Sequence, residues 1–115
     1  MTAPARSRNP AVAFSALADP TRRRIFEHLR SGAKPVGVIA SAFPISRPAI
    51  SQHLKVLREA GLVASEANGA RQVYSIDRRG LGALRAWIDQ FWDEALAGFA
   101  MEVERTAPRQ EDEQP

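Results

Sequence analysis

The chain has 115 residues, 44% of them apolar, and a formal net charge of +3, which is enough for one small core and too little for two domains. It contains no cysteine, so disulfide scaffolds, iron–sulfur clusters, thiolate zinc sites and thiol catalysis are excluded. There is no run of about 18 apolar residues to cross a membrane and no apolar segment of a secretory signal near the N-terminus, so the chain reads as cytoplasmic with no membrane partner.

Charge is unevenly distributed. Residues 1–79 hold 13 Lys/Arg against 5 Asp/Glu, and residues 80–115 hold 3 against 8. A basic front and an acidic back suggest a body that faces a polyanion and a C-terminal segment with another task; the plainer alternative is that both charges keep the protein soluble.

Residues 1–9 and 106–115 offer little to bury and are expected as flexible tails around one domain over 10–105. A first helix is predicted over 10–18, anchored by Val12, Phe14 and Leu17. Asp19-Pro20 then signals a second, because Asp caps free N–H groups and Pro suits the first helical position. It runs to about Arg30 and stops at Ser31-Gly32, with Ile25, Phe26 and Leu29 as its buried stripe. Pro35 opens a third helix in which Val36, Ile39, Ala40 and Phe43 share one face, ending before Pro44.

Ser46 caps a fourth helix with Pro48 in its first turn, Ile50, Leu54 and Leu57 inward, and Gly61 as terminator. Two strand-forming runs follow, Leu62–Glu66 and Gln72–Ile76, separated by a turn containing Asn68-Gly69, which predicts a β-hairpin. From Arg78 to about Arg105 the helical period returns with Leu81, Leu84, Ile88, Phe91, Ala95 and Phe99 on one side and Trp87, Trp92 and Leu96 beside them. A helix of that length spans about 42 Å, more than so small a domain can cover. Something outside the chain is expected to bury part of it.

Helix, short turn, helix and β-hairpin is the order of a winged helix-turn-helix: mainly α with a β-hairpin wing, its second helix entering the DNA major groove. With Ile50 inward, steps of about 100° put Pro48, Ser51, Gln52, Lys55 and Glu59 outward and leave Ser46 and Arg47 at the helix tip. Ser51 and Gln52 are then placed to read base edges, while Arg47 and Lys55 can hold guanine or phosphate. An ordinary solvated face would carry a similar mixture; the hairpin that follows favours double-stranded DNA. Arg71, just past the hairpin turn, can reach a minor groove or a phosphate. Arg22, Arg23 and Arg24 open the second helix, where the dipole disfavours cations, so a reason outside that helix is expected.

The stretches ALADPTRRRIFEHL (16–29), SRPAISQHLKVLREAGLV (46–63) and GARQVYSID (69–77), with WIDQFWDE at 87–94, resemble the ArsR/SmtB winged-helix repressors, and most of all the SdpR-like branch without metal-site cysteines. The resemblance covers about residues 10–104. It implies a homodimer through the first and last helices that represses bacterial promoters, often its own. Val12, Phe14, Leu17, Leu84, Ile88, Phe91, Trp92, Ala95 and Phe99 are the interface candidates on those helices. Phe91 and Trp92 lie about 100° apart around the axis, so one can face the protomer's own core and the other the partner; periodicity leaves open which.

In metal-responsive members a cysteine pair precedes the recognition helix; the matching positions here are Pro35 and Gly37, which ligate nothing. The last helix carries Asp89, Asp93, Glu94, Glu102 and Glu104 without histidine, so no metal or other cofactor is expected. His28 borders the core stripe and is read as a packing residue; His53, in the family's SxHL pattern, borders the DNA face and could touch a phosphate. Asp89 with Asp93 comes with no nucleophile, base or phosphate loop, so an enzyme is not expected. A winged helix used as a protein-interaction module is the alternative. A small-molecule effector among Phe14, Trp87, Phe91 and Trp92 is set against plain dimer core.

Overall fold

A computed structural model describes residues 9–106; the tails expected at 1–9 and 106–115 therefore lie almost wholly outside the described residues. The elements in chain order are α1 (Pro10–Ala18), α2 (Pro20–His28) extended by a 3₁₀ turn (Leu29–Ser31), β1 (Lys34–Pro35), α3 (Val36–Ser41), α4 (Arg47–Glu59), β2 (Val63–Asn68), β3 (Arg71–Ile76) and α5 (Arg78–Thr106). The chain divides into two compact units, the first ending at Arg85 and the second beginning at Ala86.

In the first unit, side chains close the helix starts. The carboxamide of Asn9 accepts from the N–H of Ala11, the carboxylate of Asp19 from that of Arg22 at 2.9 Å, and the hydroxyl of Ser46 from that of Ala49, each taking up a donor that the helix leaves unpaired. α4 ends in a Schellman motif: Gly61 N–H donates to Arg58 O and Leu62 N–H to Leu57 O, both at 3.0 Å. Gly61 sits at φ +79°, which glycine adopts without strain, and Leu62 is fully buried beyond it. Asp77 is buried and accepts from the N–H of Arg79 in the first turn of α5.

The core gathers Ile25 and Leu29 from α2, Ile39 from α3, Ile50, Leu54 and Leu57 from α4, and Leu62 and Val63 entering β2, all nearly or fully inaccessible. Each such side chain stabilises the fold by roughly 1.5–3 kcal/mol relative to exposure. α1 departs from expectation. Its buried residues are Ala13 and Ala16, while Val12 and Phe14 are 40% and 41% exposed and Leu17 is half-buried, because the small side chains let the helix lie close to the core. Leu84, expected at a dimer interface, is instead 7% exposed within the protomer's own core.

The wing is a three-stranded antiparallel sheet in the order β1-β3-β2. The hairpin β2–β3 stands as expected, with strands longer than read: Asn68 still pairs with Arg71, so the turn between them is Gly69-Ala70. Gly69 takes φ +66° and Ala70 has no positive φ, the glycine-first form suited to a tight hairpin. β1 was not foreseen: Lys34 and Pro35 pair with Tyr74 and Val73, so Pro35 belongs to a strand and caps α3 instead of opening it. Gly80 brings α5 against the end of α4; a Cβ there would lie 1.6 Å from Gly61 O.

The second unit is the remainder of α5. Its large apolar residues are exposed, Phe91 at 58%, Trp92 at 59% and Phe99 at 67%, so neither of the adjacent aromatics enters a core. Trp87 and Phe91 stack with ring centroids 5.8 Å apart and an interplanar angle of 2°. No helix among the described residues is long and apolar enough to cross a membrane.

Candidate nucleic-acid interface

The candidate recognition helix is α4. Its inward stripe pins one face, which obliges the other outward: Ser46, Arg47, Pro48, Ser51, Gln52 and Lys55 are all exposed. Among them only Ser46 is engaged locally, as the N-cap. Four positions capable of hydrogen bonding to base edges or phosphates thus lie on one rigid thirteen-residue helix, the placement that groove recognition requires.

Arg71, exposed at the first position of β3 opposite Asn68, comes to the same cleft as Arg47: both line a space of about 410 Å³ with Pro35, Val36, Gly37 and Val38 of β1 and α3. Tip and wing turn are therefore neighbours, although 24 residues separate them in the chain. His53 is only half-buried, but its Nδ1 is enclosed without a hydrogen-bond partner, which withdraws that nitrogen from any phosphate. The Arg22 N–H bond holds the Asp19 carboxyl below the usual carboxylate range, and the charges of Arg22 and His53 act the same way. His53 therefore belongs electrostatically to the α2 cap as well as to the edge of the outer face.

The arginines that open α2 find their reason in α1. Arg22 Nη1 donates to Ala16 O at 3.1 Å and Arg23 Nη1 to Leu17 O at 3.0 Å, so cations disfavoured by the start of one helix serve the carbonyl end of another. His28 packs edge-on against Phe43, ring centroids 5.5 Å apart, in the packing role read for it. Sequence reasoning missed Arg58, whose Nη1 donates to Ser65 Oγ at 3.0 Å and ties the last turn of α4 to the wing. Nothing local in the sequence marks that pair.

Among the described residues no group of three or more His, Asp or Glu side chains converges as a metal would need. Beside the stacked pair on α5, Trp87, Gln90, Phe91 and Glu94 line a shallow space of about 220 Å³.

Known proteins fit this architecture. A family model described as a helix-turn-helix domain matches residues 17–66. The transcriptional regulator Rv2034 of Mycobacterium tuberculosis is 50% identical over 97 residues, spanning 84% of this chain and 91% of its own. The transcriptional repressor SdpR of Bacillus subtilis is 37% identical over 78 residues, 68% and 87% of the two chains. An ArsR-like regulator from Rhodococcus superposes with a TM-score of 0.76 at 27% identity, covering 87% of this chain and 94% of that one. The homodimeric winged helix-turn-helix DNA-binding domain Mb0332 of Mycobacterium bovis gives 0.60 at 32% identity, covering 73% and 78%. With 50% identity to one such regulator over 84% of this chain and 91% of that one, and with structural likeness to an ArsR-like regulator and to a winged helix-turn-helix DNA-binding domain, the chain belongs to the ArsR/SmtB family of winged helix-turn-helix transcriptional regulators.

Proposed function

We propose that this protein represses bacterial promoters by binding a palindromic operator as a homodimer. The single observation that carries the reading is the outer face of α4, where Ser51, Gln52 and Lys55 are exposed on a helix whose opposite side is locked by Ile50, Leu54 and Leu57. Ser51 and Gln52 read base edges, and Ser46, Arg47, Lys55 and Arg71 hold the backbone on either side. The named function of SdpR as a repressor supports the sign of regulation.

Two recognition helices meet successive major grooves only when held about 34 Å apart, which requires a rigid two-fold interface. Ile88, Phe91, Trp92, Ala95 and Phe99 leave an exposed apolar surface along α5, and in the other unit Val12 and Phe14 of α1 are exposed as well. A second copy of the chain covers it in this reading, as the homodimeric description of Mb0332 supports. Leu84, already buried within the protomer, has little left to contribute.

The test is titration of the protein with the duplex upstream of its own gene across a salt series. About six phosphate contacts per dimer give a log–log slope near −5. Gln52→Ala should cost roughly 1–3 kcal/mol on the best site and relax sequence preference, whereas Lys55→Ala should weaken all duplexes alike. Binding that ignores salt, or shows no preference over random duplex, refutes the reading and favours a protein-interaction module.

A further inference from the structure

The cleft between α3, the tip of α4 and the wing turn joins two cationic side chains from elements that otherwise act separately. Arg47 reaches it as the first residue of α4, and Arg71 as the first residue after the Gly69-Ala70 turn. Its other walls are apolar or small, Pro35, Val36, Gly37, Val38, Ser41 and Ala70, and no carboxylate lines it. Neither guanidinium has a hydrogen-bond or ion-pair partner among the described residues. The Arg47 guanidinium lies beside Gly37: a Cβ there would sit 4.0 Å from Arg47 Nη1, an ordinary contact. Two like charges lining one space repel less when an anion lies between them, and the start of α4, at Arg47, adds its partial positive charge.

We propose that this cleft is a composite phosphate seat, in which Arg47 of the recognition helix and Arg71 of the wing grip one and the same backbone phosphate of the operator. The proposal rests on the DNA-binding reading and sharpens it. Planar guanidinium forks suit the oxygens of one phosphate from two directions. A space of about 410 Å³ is larger than a lone phosphate needs. The grip fixes the wing to the recognition helix through the DNA itself, at the boundary between the groove that α4 reads and the groove that the wing reaches.

The experiment is a phosphate scan. Each phosphate of one operator half-site is replaced in turn by a neutral methylphosphonate, and affinity is measured for the wild type, Arg47→Ala and Arg71→Ala. Each variant should lose about tenfold on the natural duplex, and both losses should vanish at one shared position. Gly37→Glu, which puts a carboxylate into the seat, should reproduce the arginine losses at that same position. If the two arginines are silenced at different positions, the shared seat is overturned while DNA binding stands; if no duplex is bound at all, it is the proposed function that fails. Saturable binding of inorganic pyrophosphate at Gly37 and Ala70 in amide spectra, with operator affinity unaffected by it, would assign the cleft to a free anion and overturn the backbone seat.

Discussion

Gly80→Ala should destabilise the protein although it replaces glycine by the best helix former. The added Cβ would stand 1.6 Å from Gly61 O and 2.6 Å from Gly61 C, both backbone atoms of the turn that closes α4, so no side chain can swing aside. Relief requires the first turn of α5 or the Schellman turn to move by more than 1 Å. Overpacking of this kind costs typically 1–3 kcal/mol, and an obstruction by backbone belongs at the upper end. The helical preference of Ala over Gly offsets at most about 1 kcal/mol, leaving a net loss of about 2 kcal/mol. Gly82→Ala is the control: two residues along the same helix, with nothing within 4 Å of its added methyl, it should gain up to about 1 kcal/mol. At this chain length each kcal/mol moves the melting midpoint by about 3–6 °C. Thermal unfolding followed by circular dichroism, at one fixed protein concentration because the proposed dimerisation would shift the midpoint, should show opposite displacements. Equal stabilisation by both substitutions would refute the close approach of α5 to the end of α4.

Asp19 supplies a pH-dependent contribution. Its carboxyl is held below the usual range, chiefly by the Arg22 N–H, so the cap stabilises the fold above the unfolded-state value and is lost as pH falls through the lower folded value. Wild type should therefore exceed Asp19→Ala in urea resistance at neutral pH, and the gap should close below about pH 4; a gap that persists there contradicts the capping account. Phe91→Ala combined with Trp92→Ala should yield monomers in sedimentation and lower operator affinity although no DNA-facing residue has changed; a wild-type monomer that binds a palindrome tightly would sink the dimer argument. Zinc, arsenite or a chelator should leave operator affinity unchanged, since the chain has no cysteine and α5 no histidine; a tenfold shift would show that carboxylates or His28 and His53 hold a metal.

What was legible in the sequence is what neighbouring residues decide among themselves. A capping side chain bonds an N–H two or three residues on, and Ile50, Leu54 and Leu57 fall on one side of α4 by the helical period alone, which is why the outer face could be listed residue by residue. The hairpin was legible because strand-formers flank a glycine, while the length of its strands was not, because the pairing that carries β2 on to Asn68 and begins β3 at Arg71 is set by the register of one strand on the other. The rest is non-local. Two residues of β1 become a strand only because Tyr74 and Val73 are there to pair with; Arg22 and Arg23 gain their purpose from carbonyls of a different helix; Leu84 enters the core because the glycine at 80 lets α5 approach Gly61. Arg47 and Arg71, each legible as a separate cation, come to line one cleft only in the folded protein. Periodicity and capping report on the few residues within a turn of each other, whereas packing, sheet pairing and shared charge depend on which distant segments the fold brings into contact.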